Sequence, residues 1–223
     1  MSENPATTEP NETNETTTPE TIYSPIGLRD VVIARLLTDE PGETPTYDTV
    51  VQLVGAIDFD ITDNSGDPDI QDYDDHEGHV IYPDPNMTGT MEMADIPPEK
   101  LALLMGHTVD ENGVVVHSGE DTPPYFAWGF KSEKADGTDR YVWYYKGRAS
   151  MPNDKHTTKP SNGKVPTRQT TKLKVTFVKR AADGLARCFV DEDSADFASA
   201  KATFFSAPYT PSITPATAPS TST

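Results

Sequence analysis

The chain has 223 residues, 35% of them hydrophobic, and a formal net charge of −18 at pH 7. That is enough apolar material for one domain, and the acidic balance argues against direct binding to DNA phosphates, which requires Lys and Arg to displace condensed counterions. No run approaches the roughly 18 apolar residues of a membrane-spanning helix, Met1-Ser2-Glu3-Asn4-Pro5 lacks the basic and apolar regions of a secretory signal, and the lone Cys188 allows neither an intrachain disulfide nor a multi-cysteine zinc site.

In chain order, residues 1–21 are Thr, Glu, Asn and Pro with no bulky apolar residue beyond Met1, which predicts a disordered arm. A folded region is expected over 22–208, and a flexible, Thr-, Ser- and Pro-biased tail over 209–223. Within the folded region the hydrophobic period is two. Val50, Leu53 and Ile57 lie in a β-branched run, and Leu173, Val175 and Phe177 alternate with Lys172, Lys174 and Thr176. Strands are predicted at 28–37, 47–60, 87–94, 113–117, 125–133, 139–149, 171–180 and 186–191. The strongest hairpin signal is Ala135-Asp136-Gly137-Thr138, because Asp-Gly tolerates positive φ, and Ala182-Asp183-Gly184 repeats it.

Ile96 to Gly106 breaks this rhythm and predicts a short helix against the sheet. Asp95 is the expected cap, Pro97 and Pro98 are tolerated in the first turn, and Gly106 suits the left-handed residue after it. Many strands with one helix predict a mostly β fold, an antiparallel β-sandwich or barrel, rather than an α/β enzyme in which strands and helices alternate.

The sequence offers no catalytic motif. Asp75-His76-Glu77-Gly78-His79 has its histidines three apart beside glycine, not four apart on a helix, so it reads as a polar loop rather than catalytic zinc. The acidic run Asp58, Asp60, Asp63, Asp67, Asp69, Asp72, Asp74, Asp75 and Glu77 fits no register of the twelve-residue calcium loop. Starting at Asp58 puts Asp63 at the required glycine, and starting at Asp60 puts Ser65 there. Cys188 reads as a buried thiol, and no phosphate-binding or nucleophile-elbow pattern is present. No cofactor is expected. The connection from Ile61 to Pro85 is much longer than an ordinary hairpin loop, which predicts a functional or disordered segment.

The aromatic block Pro123-Pro124-Tyr125-Phe126-Ala127-Trp128-Gly129-Phe130, a charged hairpin, and Arg140-Tyr141-Val142-Trp143-Tyr144-Tyr145-Lys146-Gly147-Arg148 together resemble the major tail tube proteins of bacteriophages with long, non-contractile tails. Pro25-Ile26-Gly27-Leu28, Leu53-Val54-Gly55-Ala56 and the Ile96–Gly106 helix agree in order, so the resemblance covers about residues 25–190. It implies a structural virion protein made in the host bacterial cytoplasm, not an enzyme. The resemblance implies that the chain assembles with itself into stacked six-membered rings that form the hollow tail tube. The other implied partners are tape measure, terminator and distal tail proteins; genomic DNA passes through the lumen without specific binding, and no membrane is involved.

The resemblance also makes the acidic segment the inter-ring stacking loop, with Asp63, Asp67, Asp69, Asp72, Asp74, Asp75 and Glu77. The connection from Met151 to Thr171 carries Lys155, Lys159, Lys164 and Arg168 against Asp154, so it is the expected complementary surface on the next ring. Tyr125, Trp128, Phe130, Tyr141, Trp143 and Tyr145 are the expected core aromatics. Acidic residues are expected to face the lumen and repel DNA. No C-terminal immunoglobulin-like domain is expected after Tyr209. The rival from another class is a monomeric β-sandwich whose Asp-rich loop holds calcium for a binding partner.

Overall fold

The computed structural model describes residues 22–67, 69–73, 76–81, 83–84, 86–153, 156–161, 165 and 168–212, with backbone only for 69–73 and 76–79. The expected arm over 1–21 and most of the expected tail, 213–223, lie outside the described residues.

The fold is mostly β, with antiparallel strands and, among the described residues, one helix. In chain order it runs β1 (Pro25–Thr38), β2 (Thr46–Tyr47), β3 (Val51–Gln52), β4 (Ala56–Asp63), β5 (Asp69–Tyr73), β6 (His76–Ile81), β7 (Met87–Met93), α1 (Pro98–Met105), β8 (Thr108–Val109), β9 (Val115–Val116), β10 (Tyr125–Lys134), β11 (Asp139–Ser150), β12 (Thr171–Phe177) and β13 (Arg187–Asp191). The main sheet has the order β2-β1-β10-β11-β12-β7-β4, and β3 adds to β1.

The sheet forks at β11. Arg140–Tyr144 pair with β13, whereas Gly147–Ser150 pair with β12. A register shift opposite Phe126 and Trp128 falls at the fork. Such an irregularity turns the strand by one residue and reverses which side chains face each side. Tyr144 therefore faces the same core as Ala149, while Tyr141, Trp143 and Tyr145 face the other.

Two cores result. The first holds Val31, Ile33, Met91, Met93, Phe126, Trp128, Leu173, Val175 and Phe177, and Leu104 and Met105 of α1 close it. The second holds Val32, Ala127, Tyr141, Trp143 and Tyr145 under Phe197 and Phe204. With both faces covered, Phe126 to Gly129 are buried consecutively instead of alternating as a half-wet strand does. Trp128 and Trp143 are both fully buried, on opposite faces. Glycine makes the close approach possible: a Cβ on Gly147 would lie 2.6 Å from Phe177 and 3.0 Å from Trp128.

Several expectations are corrected. The run 47–60 is three short pieces, interrupted at Gly55 with φ +95°. The strand at 113–117 shortens to Val115–Val116, and β12 stops at Phe177. Asp95 does not cap α1: the cap position is Pro97 with no side-chain bond, and Asp95 Oδ1 instead accepts the Ile96 N–H at 2.9 Å. The physical reason is that Pro97 and Pro98 have no N–H for a cap to satisfy. Gly106 does take the left-handed conformation, φ 76°. The Ala182-Asp183-Gly184 turn joins β12 to β13, but those strands pair with β11 rather than with each other. Tyr209 is not free tail; its ring stacks on Phe204 with centroids 5.3 Å apart.

Candidate functional site

The acidic connection is a β-hairpin, not a long loop. β4 pairs with β7, Asn64 N–H continues the ladder to the Asn86 carbonyl at 2.7 Å, and β5 pairs with β6 beyond it. The polar loop expected around His76 and His79 is therefore strand β6. Among the described elements, β5 and β6 pack on each other and nothing else packs on them to a comparable extent. A two-stranded ribbon with that little support is marginal by itself. It forms a projection in the sense that it continues beyond Asp63 and Met87, where the β4–β7 ladder ends, with no other described element packed on it to a comparable extent.

Of the expected stacking residues, Asp63 and Asp67 are exposed at the base of this projection. Asp63 accepts bonds from the Ser65 N–H at 2.9 Å and hydroxyl at 2.5 Å, which stop the main-sheet strand and hold its carboxyl below the usual range. Asp69, Asp72 and Glu77 lie on β5 and β6, of which only the backbone is described, and Asp74 and Asp75 lie outside the described residues. Of the basic set, Lys159 and Arg168 are exposed in the β11–β12 connection, while Lys155 and Lys164 lie outside the described residues.

The strand registers fix where these two segments leave the sheet. Met87 is opposite both Asp63 and Phe177, and Met93 is opposite both Ala56 and Thr171. The acidic hairpin therefore departs at the Met87 end, and the basic connection enters at the Met93 end. A seven-residue strand separates the two by about 20 Å. Among the described residues, the segments that carry the acidic and basic sets leave the sheet at opposite ends of β4, β7 and β12.

A second exposed feature is the seam between β1 and β4. β4 ends the sheet on one side. On the other, β3, β2 and their neighbours bond to β1 between Val31 and Thr38, with the Leu53 N–H on the Val31 carbonyl and the Asp48 N–H on the Arg35 carbonyl, both at 2.8 Å, so the stretch of β1 they leave open is its N-terminal part. Ile26, Val54 and Ile57, exposed by 68%, 74% and 54%, flank the uncovered edges. Open strand edges with apolar side chains are templates for pairing with another chain.

The expected core aromatics divide. Trp128, Tyr141, Trp143 and Tyr145 are buried; Phe130 is half-buried against the first core. Tyr125 is half-buried beneath the Arg148 guanidinium, 4.0 Å from its ring centre, and is not a core residue. Phe197, Phe204 and Phe205 were missed. They lie in a turn-rich segment, and their spacing is the one sequence signal that it packs. Phe204 carbonyl accepts the Trp143 Nε1–H at 3.0 Å. Cys188 is half-buried on β13 and burial pushes its thiol up, away from thiolate chemistry.

Comparison with known protein families and with curated proteins finds no match for this chain.

Proposed function

We propose that this protein is a structural subunit that assembles with itself into stacked rings, as the tail tube proteins it resembles do, and forms a hollow tube for passage of DNA. The observation that supports this reading is that the acid-rich hairpin and the connection with exposed Lys159 and Arg168 leave opposite ends of the same three strands. Identical rings stack head to tail only if the top of one complements the bottom of the next. An acidic projection at one end and an exposed basic connection at the other meet that condition, and charge then sets register as well as rate.

Lateral closure of a ring joins two different surfaces of each subunit in a heterologous contact. The β1–β4 seam gives one of them, where Ile26, Val54 and Ile57 offer apolar area beside open backbone hydrogen-bonding groups. The excess of acid over base fits a lumen that repels phosphates; a basic inner wall in the assembled tube would contradict that part.

The test is to express the chain alone and examine concentrated fractions by light scattering and negative-stain electron microscopy. Rings or hollow tubes of uniform width are the expected result. A strictly monomeric species at every salt and concentration, stabilised against heat by calcium, would replace this reading with the calcium-dependent binding module.

A further inference from the structure

A cluster that follows α1 has the chemistry of a metal site. It begins at the end of α1, where Gly106 turns the chain and His107 N–H bonds to the Ala102 carbonyl at 2.9 Å. The short hairpin β8–β9 follows, with Thr108 opposite Val116 and Val109 opposite Val115. Its turn is set by Asp110, whose Oδ1 accepts the N–H groups of Asn112 at 2.9 Å and Val114 at 2.7 Å, and by Gly113 at φ +78°. One step beyond Thr108 and Val116 come His107 and His117, so the hairpin register places the two imidazoles side by side. Their ring centres are 4.5 Å apart.

Asp121 completes the cluster. Its Oδ2 accepts the Ser118 N–H at 2.8 Å and contacts His107 Nδ1 at 2.7 Å. The segment after Asp121 is locked to the helix end, since a Cβ on Gly106 would lie 2.7 Å from the Thr122 carbonyl. A ligand atom of each of His107, His117 and Asp121 lies within 4.8 Å of the other two.

Asp121 Oδ2 already accepts the Ser118 N–H and faces His107 Nδ1. With Nδ1–H given to that carboxylate, Nε2 is the nitrogen the neutral ring has left for a ligand. That atom is buried and has no hydrogen-bond partner among the described residues, in a side chain only 5% exposed. Burying an unpartnered polar atom costs about 1–3 kcal/mol. A histidine whose Nδ1–H is held by a carboxylate while Nε2 waits for a Lewis acid has the arrangement of a metal ligand with its orienting partner. The separation of the rings agrees. Two imidazoles on one tetrahedral ion, with nitrogen–metal distances of about 2.0–2.1 Å, have ring centres about 5 Å apart. A movement of roughly half an ångström, at the exposed His117, brings 4.5 Å to that value. The last turn of α1 has no basic residue, so a cation there also meets the negative end of the helix dipole.

We propose that His107 and His117 bind one divalent ion of the zinc class, with Asp121 as the positioning residue that holds the His107 ring and supplies negative charge. Imidazole nitrogens select such borderline ions over calcium and magnesium, which take oxygen ligands. The ion would tie the helix end to the hairpin, and this holds whether or not the protein forms tubes.

The test uses the full chain stripped with a chelator, zinc titration by calorimetry and thermal melts, and cobalt as a spectroscopic probe. At a free zinc concentration about 100 times Kd the melting midpoint should rise by about 5–10 °C. Cobalt should give the visible absorption of a low-symmetry, nitrogen-ligated ion. His117→Ala, at an exposed position, should leave the metal-free midpoint unchanged yet weaken zinc binding at least tenfold, and Asp121→Asn should weaken it about 10–100-fold. A His76→Ala/His79→Ala double variant should bind as the parent does. Equal affinity in the parent and His117→Ala, loss of binding in the His76/His79 variant instead, or no zinc-dependent rise in the parent would each overturn the proposal.

Discussion

Arg180 is wholly buried, and the structure says what its removal should cost. Its Nε and Nη2 fork onto Asp183 at 3.0 and 2.5 Å, Nη1 donates to the Tyr47 hydroxyl at 3.2 Å, and the guanidinium lies 3.9 Å from the Tyr145 ring centre. Tyr47 in turn donates to the Tyr145 carbonyl at 3.0 Å, and burial pushes its hydroxyl up to about 12, so it stays a neutral donor. Arg180→Ala leaves a large cavity over Tyr145 in addition to removing the fork on Asp183, at a cost of about 3–5 kcal/mol. For a domain of this size each kcal/mol moves the melting midpoint by about 2–4 °C, so a fall of about 6–20 °C is expected. Arg180→Met fills most of the volume, and Asp183, 31% exposed, can turn to water; it should cost less, about 1–3 kcal/mol. Urea unfolding followed by fluorescence of the buried Trp128 and Trp143 reads both variants on dilute protein. A loss below about 1 kcal/mol for Arg180→Ala would refute the reasoning, because a hydrated surface arginine behaves that way.

Three further outcomes are expected. Asp191 accepts from Arg140 at 2.5 and 2.9 Å and from Lys134 at 2.7 Å, and these cations lower its pKa to about 2 from 3.8. A depressed folded value stabilises above the unfolded pKa and is lost as pH falls from about 4 to about 2; after screening this is about 1 kcal/mol, and Asp191→Asn should flatten that part of an acid titration. Gly147→Ala should cost about 1–3 kcal/mol by forcing a methyl against Phe177 and Trp128, whereas Gly137→Ala, at φ +86° with nothing within 4 Å, should cost only about 1 kcal/mol of backbone strain; equal melting midpoints for the two would contradict the packing argument. Reversing Lys155, Lys159, Lys164 and Arg168 to Glu should reduce tube yield at low salt while leaving the monomer folded, and unchanged yield would sink the charge-registered stacking.

Local chemistry made much of the fold legible. The Asp136-Gly137 turn folds as its residues dictate, with Asp136 Oδ1 accepting the Thr138 N–H at 3.0 Å and hydroxyl at 2.8 Å. Leu173, Val175 and Phe177 face the core as their alternation requires. Pro98 and Gly106 bound the helix because their φ preferences act within one turn. Asp95 was misread since a cap needs N–H groups, and two prolines remove them. The His107–His117–Asp121 cluster is not legible in spacing, because its histidines stand ten residues apart and meet only through the β8–β9 register; the Asp110–Gly113 turn before Val114-Val115-Val116 was the available signal.

The sequence by itself determined the strand periodicity, the helix with its glycine stop, the tight turns and the opposite charge of two long segments. Each is set by φ/ψ preference, side-chain period or composition over a few neighbouring residues. Only the tertiary structure decided that β11 forks between β12 and β13, that both of its faces are buried, that a phenylalanine-rich C-terminal segment covers Trp143, and that acid and base leave opposite ends of the same strands. Those outcomes depend on register between residues far apart in the chain, where a shift of one position turns every side chain to the other face, and no local pattern carries that information.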